Sequence, residues 1–337
     1  MTASRLGPDP SRAEPTPALA RLPLPVCFAP LLGKSEHRRN MLQHLTRRAV
    51  VVLAGGSAIL AIGTASTATD TAVAATSKST RTTLVRATFD KLPTGRVTPK
   101  GFNSQLHGTN NTTAAYDDMA AVRMAGHGKV LRTKFDAGSY HTYPAGNNGG
   151  TFFIPLPRVV NNACMRYNIR FDSKFDWSLG GKLPGLEGVA PGVAPSAPTG
   201  GNYAGSQGWS GRLMWLGPKA YSWAGPVNQA VSYMYNPRQT TSYGDNVRWD
   251  KAFVAGRWHT VKVCYRMNTV GHANGRLRSW MDGVKVVDNT SYVYRSRSDV
   301  GISHIAWHVF RGGDSSNWAG SRTSYIYIDN VRITTIT

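Results

Sequence analysis

WHTVKVCYRMN, Trp258 to Asn268, alternates side chains along its whole length. His259, Val261, Val263, Tyr265 and Met267 fall on one face of an extended chain, and Lys262, Cys264, Arg266 and Asn268 fall on the other. Such a period of two marks a strand with one face buried. ACMRYNIRF, Ala163 to Phe171, repeats the pattern, with Ala163, Met165, Tyr167, Ile169 and Phe171 opposing Arg166, Asn168 and Arg170. GRLRSWMDGVKVV sets Asp282-Gly283 between two strand-like runs, a strong hairpin signal. SYIYIDNVRI adds a strand near the C-terminus.

Gly, Pro, Asn and Asp separate these runs. Helical periodicity is confined to TTAAYDDMAAVRMAG, where a short helix is expected over 112–126. Many short strands with little helix predict an all-β fold, a β-jelly roll of two packed antiparallel sheets. The regular Arg, Lys, Tyr and Asn positions give one sheet a polar, basic outer face, either solvated surface or groove. GVAPGVAPSAPTGGNYAGSQG, Gly188 to Gly208, is expected to be a mobile loop, either a rim over a groove or plain surface.

The chain has 337 residues and a net charge of +21. The folded domain is expected over 76–337. Residues 41–75 have the three parts of a secretory signal: Arg47-Arg48, an apolar run from Ala49 to Ile62, and the small-residue site Ala72-Val73-Ala74. The run is too short and too rich in Ala and Gly for a membrane span, so no membrane association is expected of the mature form. TRRAVVV resembles a twin-arginine signal loosely, and secretion by the Sec or Tat route is expected. Residues 1–40 are an upstream extension, either disordered or placed ahead of a true start at Met41.

Beyond residue 75, 31 Lys and Arg stand against 14 Asp and Glu, a net of +17. That balance favours a polyanion: nucleic acid, anionic lipid or acidic polysaccharide. For an exported monomer the acidic polysaccharide is the expected partner, and nucleic acid is not. Cys164 and Cys264 sit in an export context that permits a disulfide, two buried thiols being the alternative.

Composition also excludes chemistry. Beyond the signal Glu187 is the single glutamate, and Asp117-Asp118 is the single close aspartate pair, so glycoside hydrolysis by paired carboxylates is disfavoured. The histidines show no ligand pattern with cysteine; His304 and His308 lie on one strand face and are expected to be structural or groove-lining rather than metal ligands. No Gly-x-Ser-x-Gly elbow or phosphate-binding glycine loop is present, and GHANG is expected to be a turn. No metal or cofactor is implied.

What remains is Lys, Arg, Tyr and Ser, gathered in three places. DWSLGGKLPGLEG holds Lys182 within a glycine-proline segment, expected as a tight turn that fixes the lysine at one point. GWSGRLMWLG puts Ser210 and Arg212 on one strand face, and AVSYMYNP does the same for Tyr233 and Tyr235. Each has a plainer role open to it: an exposed turn lysine, a polar strand residue, a surface charge, a core tyrosine. Together they suit β-elimination on a uronate. The C5 proton is weakly acidic beside the carboxylate, and its removal needs a cation on that carboxylate, a base, and a proton for the departing O4. Tyrosine or lysine serves as base once nearby positive charge lowers its pKa.

GGKLPGL, SGRLMW, SYMYNP, GRWHTVKVCYRMNTVGHANGRLRSWMDG, and FRGGDSSNWA followed by YIYIDNV resemble polysaccharide lyase family 14 in order and spacing, from about Thr83 to the C-terminus. The family includes alginate and polyglucuronate lyases of algal viruses and alginate lyases of marine molluscs. The resemblance implies a β-jelly roll with a cleft and a metal-independent active site at Lys182, Ser210, Arg212, Tyr233 and Tyr235. It implies that Arg212, assisted by Ser210, holds the substrate carboxylate, and that Tyr235 or Tyr233 delivers the proton to O4, with removal of the C5 proton open to the same tyrosine. Lys182 is then a competing base or a second positive charge. Three other functions are open: a non-catalytic carbohydrate-binding module, a polyanion binder driven by charge, and a glucuronan lyase of fungal type. Arg166 and Arg170 either bind neighbouring sugars or form a solvated face. The GGDSSNW loop, with Trp318, either walls the cleft or packs beneath itself.

Overall fold

The computed structural model describes residues 80–107, 118–141, 149–200, 205–218, 220–221, 228–313 and 315–336. The described residues belong to one unit, Val73–Thr337. The extension expected at 1–40 and the signal expected at 41–75 lie outside them.

Among the described residues the chain forms β1 (Arg81–Ala87), β2 (Gly95–Arg96), helix α1 (Pro99–Leu106), β3 (Met119–Met124), β4 (Gly128–Phe135), β5 (Gly150–Val160), β6 (Asn162–Phe171) and β7 (Gly180–Val189). There follow β8 (Gly208–Leu216), β9 (Gln229–Tyr235), β10 (Asp245–Ala252), β11 (Trp258–Arg266), β12 (Gly275–Met281), β13 (Val284–Tyr292), β14 (Ile302–Arg311) and β15 (Ser324–Ile336). The larger sheet has nine strands, ordered β13-β12-β11-β6-β15-β4-β3-β2 with β1 also paired to β15. The smaller has six, ordered β10-β9-β8-β7-β14-β5. The strand pairs are antiparallel. The two sheets pack face to face as a β-jelly roll.

The alternating faces seen in the sequence make the core. Val261, Val263, Tyr265 and Met267 from β11 and its end meet Met165, Tyr167, Ile169 and Phe171 from β6, all buried. Phe171 also joins Phe175, Trp177 and Trp215 with ring centroids 4.6–5.6 Å apart. Each such ring taken out of water stabilises by roughly 1.5–3 kcal/mol. Asp282 and Gly283 have φ of 51° and 83° and join Met281 to Val284, the two-residue hairpin that their sequence announces. Cys164 stands directly opposite Cys264 in the β6–β11 ladder, and the two form a disulfide.

Two expectations fail. The described part of the segment expected to be helical is strand β3, paired residue for residue with β4; 112–117 lie outside the described residues. Sheet pairing there overrides the helical preference of an alanine-rich run. The helix lies upstream instead: Thr98 Oγ1 accepts from the Gly101 N–H at 3.1 Å, Pro99 opens it, and Phe102 and Leu106 are buried. The second failure is GGKLPGL, which is a central strand of the smaller sheet and not a turn. Its glycines serve close packing. A Cβ on Gly181 would lie 2.1 Å from the Trp215 ring, and one on Gly185 would lie 1.9 Å from the Gly211 carbonyl oxygen. Pro184 is accommodated by a bulge, since the β7–β8 register slips between Leu183 and Gly185. The Tyr167 hydroxyl donates to the Pro184 carbonyl at 3.1 Å and fixes that bulge.

Candidate active site

Leu183 on β7 and Leu213 on β8 point into the core, so their neighbours Lys182 and Arg212 point away from it. By the same alternation β9 presents Tyr233 and Tyr235, and β14 presents His308 and Phe310. These side chains floor a cleft of about 610 Å³ on the outer face of the smaller sheet. Thr151 and Phe153 of β5 extend the floor. His141, Ser196, Thr199, Tyr221, Tyr243, Gly312, Gly313 and Trp318 form the rim, and no described lining residue carries a carboxylate.

Four of the five residues chosen from sequence line this cleft together: Lys182, Arg212, Tyr233 and Tyr235. Ser210 does not. It shares the strand face of Arg212, but its hydroxyl is fully buried and donates to the Pro198 carbonyl at 2.6 Å. Ser210 therefore pins the Gly188–Gly208 segment to the sheet, which brings Ser196 and Thr199 to the rim. The described part of that loop is held at the cleft edge.

Lys182 Nζ donates to the Gly312 carbonyl at 2.7 Å and lies 4.7 Å from the Tyr233 ring centroid and 5.5 Å from that of Trp318. A carbonyl acceptor and two ring faces favour an ammonium ion. The Arg212 guanidinium carbon lies 5.3 Å from the Tyr233 ring centroid and 5.2 Å from that of Tyr235. Its Nη1 donates to His308 Nδ1 at 3.0 Å, while Nε and Nη2 are buried with no acceptor among the described residues. A carboxylate entering the cleft would give a buried guanidinium the partner it lacks.

The two tyrosine hydroxyls are 3.4 Å apart. The Gly244 N–H donates to Tyr233 Oη at 3.1 Å, which leaves the Tyr233 proton free to point at Tyr235. Burial, reinforced by the neighbouring Tyr235, raises the Tyr233 pKa far above the usual phenol range, so Tyr233 stays protonated.

Sequence reasoning gives no catalytic role to several groups here, although His308, expected to be structural or groove-lining, does line the cleft. His308 is 2% exposed, and burial, with Arg212, Lys182 and His141 adding to it, holds its pKa well below the ordinary histidine value. A neutral His308 that accepts at Nδ1 carries its proton on Nε2, which is buried with no partner among the described residues. Glu187 is fully buried opposite Ser210 and His304, and neither carboxyl oxygen has a hydrogen-bond partner among the described residues. Burial raises its pKa well above the usual carboxylate value against the opposing pull of Arg212, so it is held as the neutral acid. Tyr221 and Tyr243, 36% and 52% exposed, stand at the rim, as a sugar platform would. The His304–His308 spacing was a usable signal for His308; isolated loop tyrosines gave none. No group of three or more His, Cys, Asp or Glu able to hold a metal occurs among the described residues.

The polysaccharide lyase 14 family model matches residues 123–331. In fold the chain is similar to the marine PL-14 alginate lyase from Aplysia kurodai, at 22% identity and a TM-score of 0.63, covering 75% of this chain and 99% of that one. The Chlorella virus alginate lyase vAL-1 is similar at 17% identity and a TM-score of 0.55, covering 72% and 99%. A mutant of alginate lyase Aly36B, solved in complex with an alginate tetrasaccharide, matches at 22% identity and a TM-score of 0.61, covering 74% and 95%. Among curated proteins, the exolysin of Paramecium bursaria Chlorella virus 1 is 25% identical over 206 residues, 53% of this chain. The chain spans only about 30% of that relative's length. The family match covers well over half of the chain, includes every cleft residue named from sequence, and falls on the sheet scaffold described above: the chain belongs to the polysaccharide lyase 14 family.

Proposed function

We propose that this protein is a secreted lyase that cleaves an anionic uronic-acid polymer, of alginate or polyglucuronate type, by β-elimination. The observation that carries this is the convergence of Lys182, Arg212, Tyr233 and Tyr235 in one cleft, with cations and phenols in place of carboxylates. A uronate needs that set, and a hydrolase of neutral sugars does not.

In this mechanism Arg212 pairs with the substrate carboxylate through its buried, unused N–H groups. The neutral His308 holds the guanidinium in place and offers its Nε2–H to the same anion. Tyr235, entering the step as the phenolate, takes the proton from C5 and becomes the phenol. The electron pair of that C–H bond forms the C4–C5 double bond, and the C4–O4 bond breaks. O4 leaves with the proton returned from Tyr235, which restores the phenolate for the next turnover. Tyr233, held protonated, positions the Tyr235 oxygen through their hydroxyl contact. Lys182 remains an ammonium and compensates the negative charge that builds on the carboxylate as the proton departs. The side chains named here supply every step.

The test is to incubate the protein with mannuronate, guluronate and glucuronate polymers and follow ultraviolet absorbance of the unsaturated product end. The expected result is a rise on at least one polymer that Tyr235→Phe abolishes. Tight polymer binding with no rise on any of them would make the protein a binding module instead.

A further inference from the structure

The outer face of the larger sheet is turned away from the cleft, and it carries an ordered line of cations. Trp280 on β12 pairs with Lys262 on β11, and Lys262 pairs with Arg166 on β6. Arg166 pairs with Arg332 on β15, and Arg332 pairs with Arg86 on β1. Directly paired residues of antiparallel strands project from the same face. Neighbouring strands lie about 4.8 Å apart, so the four cations follow one another at roughly that interval. Arg86, Arg166 and Arg332 are exposed, and Lys262 is half-buried with Nζ 4.5 Å from the Trp280 ring centroid.

The line is uncompensated. No ion pair among the described residues joins any of the four to a carboxylate. Elsewhere on the same sheet such compensation occurs, where Arg276 pairs with Asp288 at 2.8 Å. Burial, together with Arg81, Arg278 and Arg166, lowers the Lys262 pKa below the ordinary lysine value, a sign of crowded like charge. Like charges directly opposite one another destabilise a sheet. Two hollows meet at Arg166: one of about 240 Å³ bounded by Arg86, Arg166 and Arg332, and one of about 610 Å³ bounded by Arg166, Lys262 and Trp280 and, at its edge, by Asp282, whose carboxylate is already taken up by Arg257 and His259. Together they make a trough along the row.

We propose that this row is a second binding site, separate from the cleft, for a strand of acidic polysaccharide whose carboxylates meet Lys262, Arg166, Arg332 and Arg86 in turn. The choice of a uronate polymer rests on the function proposed for the cleft. A 1,4-linked uronate carries one carboxylate per ring, and one pyranose residue is close in length to the spacing between strands. Proteins that bind single-stranded nucleic acid offer a series of open aromatic platforms. This row has one aromatic, Trp280, with the Lys262 ammonium lying over its ring. A polymer held on this face stays near the protein between cleavages, which raises its effective concentration at the cleft.

The experiment compares the full chain with the triple variant Arg166→Gln/Lys262→Gln/Arg332→Gln and with a control triple, Lys91→Gln/Lys100→Gln/Lys174→Gln, that removes the same charge elsewhere. Affinity for a long polyuronate is measured across a salt series, and turnover on an oligouronate too short to reach both faces. The row variant is expected to bind the polymer about tenfold more weakly with a shallower salt dependence, while its oligouronate turnover is unchanged. Equal loss in the control triple, or no loss in the row variant, overturns the site. Displacement of the polymer by single-stranded DNA at lower concentration overturns the choice of a polysaccharide. Should the triple not fold, Lys262→Gln and Arg166→Gln singly are each expected to weaken binding about threefold, and an unchanged affinity in both is equally fatal. The two proposals fail separately. Polymer affinity lost in the row variant of a protein that yields no unsaturated product removes the lyase and keeps the row; product formation with unaltered affinity does the reverse.

Discussion

Arg212 on β8 donates from Nη1 to His308 Nδ1 on β14 across 3.0 Å, although β7 runs between those two strands. The intervening position is Gly185, paired with Arg212 on one side and Ala306 on the other. With no side chain at Gly185 and a methyl group at Ala306, the guanidinium crosses the strand and rests against the imidazole. His308→Ala is therefore expected to lower kcat/KM on the polymer by about 10–100-fold, roughly 1.4–3 kcal/mol of transition-state binding. His308→Asn keeps an acceptor near the same place and should recover part of the loss. Steady-state kinetics on both variants decides; an unchanged His308→Ala would detach the histidine from the site.

The same histidine fixes a pH expectation. Its folded pKa lies well below 6.5 through burial and the neighbouring cations. A depressed pKa means that the folded state disfavours the proton, so this contribution to stability is present above the ordinary histidine pKa and is lost as pH falls through the folded one. The rate profile should accordingly show no inflection near 6.5. An inflection there that His308→Asn removes would show that the imidazole titrates in the cleft.

Glu187 has the opposite sign. Its folded pKa is raised well above 4.5, chiefly by burial. Its stabilising contribution is fully present below the ordinary glutamate pKa and is lost as pH rises through the folded value. Glu187→Gln keeps the shape without the ionisation and should melt higher than the parent at alkaline pH, by roughly 2–4 °C per kcal/mol, but not at acid pH. Thermal unfolding at both ends of the pH range measures this. A variant less stable throughout would show that Glu187 is ionised and paired with Arg212.

The sheets were legible because β6 and β11 each bury one face, which forces strict alternation, and because Asp282-Gly283 supplies the turn chemistry of a two-residue hairpin. GGKLPGL was misread for a physical reason. Glycine and proline signal turns when chain reversal needs them, whereas here Gly181 and Gly185 give way to Trp215 and the Gly211 carbonyl, and Pro184 sits in a bulge. Only the neighbouring strands reveal that need. Arg212, Tyr233 and Tyr235 were found by strand-face reasoning and Lys182 by its glycine-proline setting, all joined to a family resemblance. Ser210 shares the face of Arg212, but Pro198 folds over it, and no spacing in the sequence shows a loop closing on a strand. Glu187 was noticed as a lone glutamate; its burial beside Arg212 is a property of three strands at once.

The Cys164–Cys264 bridge spans a sequence separation of 100 residues at the centre of the larger sheet. Closing so long a loop in the unfolded chain predicts that Cys164→Ala/Cys264→Ala costs about 2–5 kcal/mol. Denaturant unfolding of the double variant checks this. A midpoint equal to that of the parent would mean that β6–β11 pairing alone holds the sheet.

Lys182 is where the proposed roles divide most sharply. Its ammonium is held by the Gly312 carbonyl and lies near the Tyr233 and Trp318 rings, surroundings that favour the charged form. If charge is its contribution, Lys182→Ala should lose about a thousandfold in kcat, and Lys182→Arg, which keeps a cation, should retain roughly a tenth of the parent rate. Trp318→Ala, which removes one ring and leaves the carbonyl, should cost less than either. The measurement is kcat on saturating polymer for the three variants, with circular dichroism to establish folding. A folded Lys182→Arg as inactive as Lys182→Ala would reassign the lysine as the base that removes the C5 proton. Tyr235 would then be left as the acid that protonates O4.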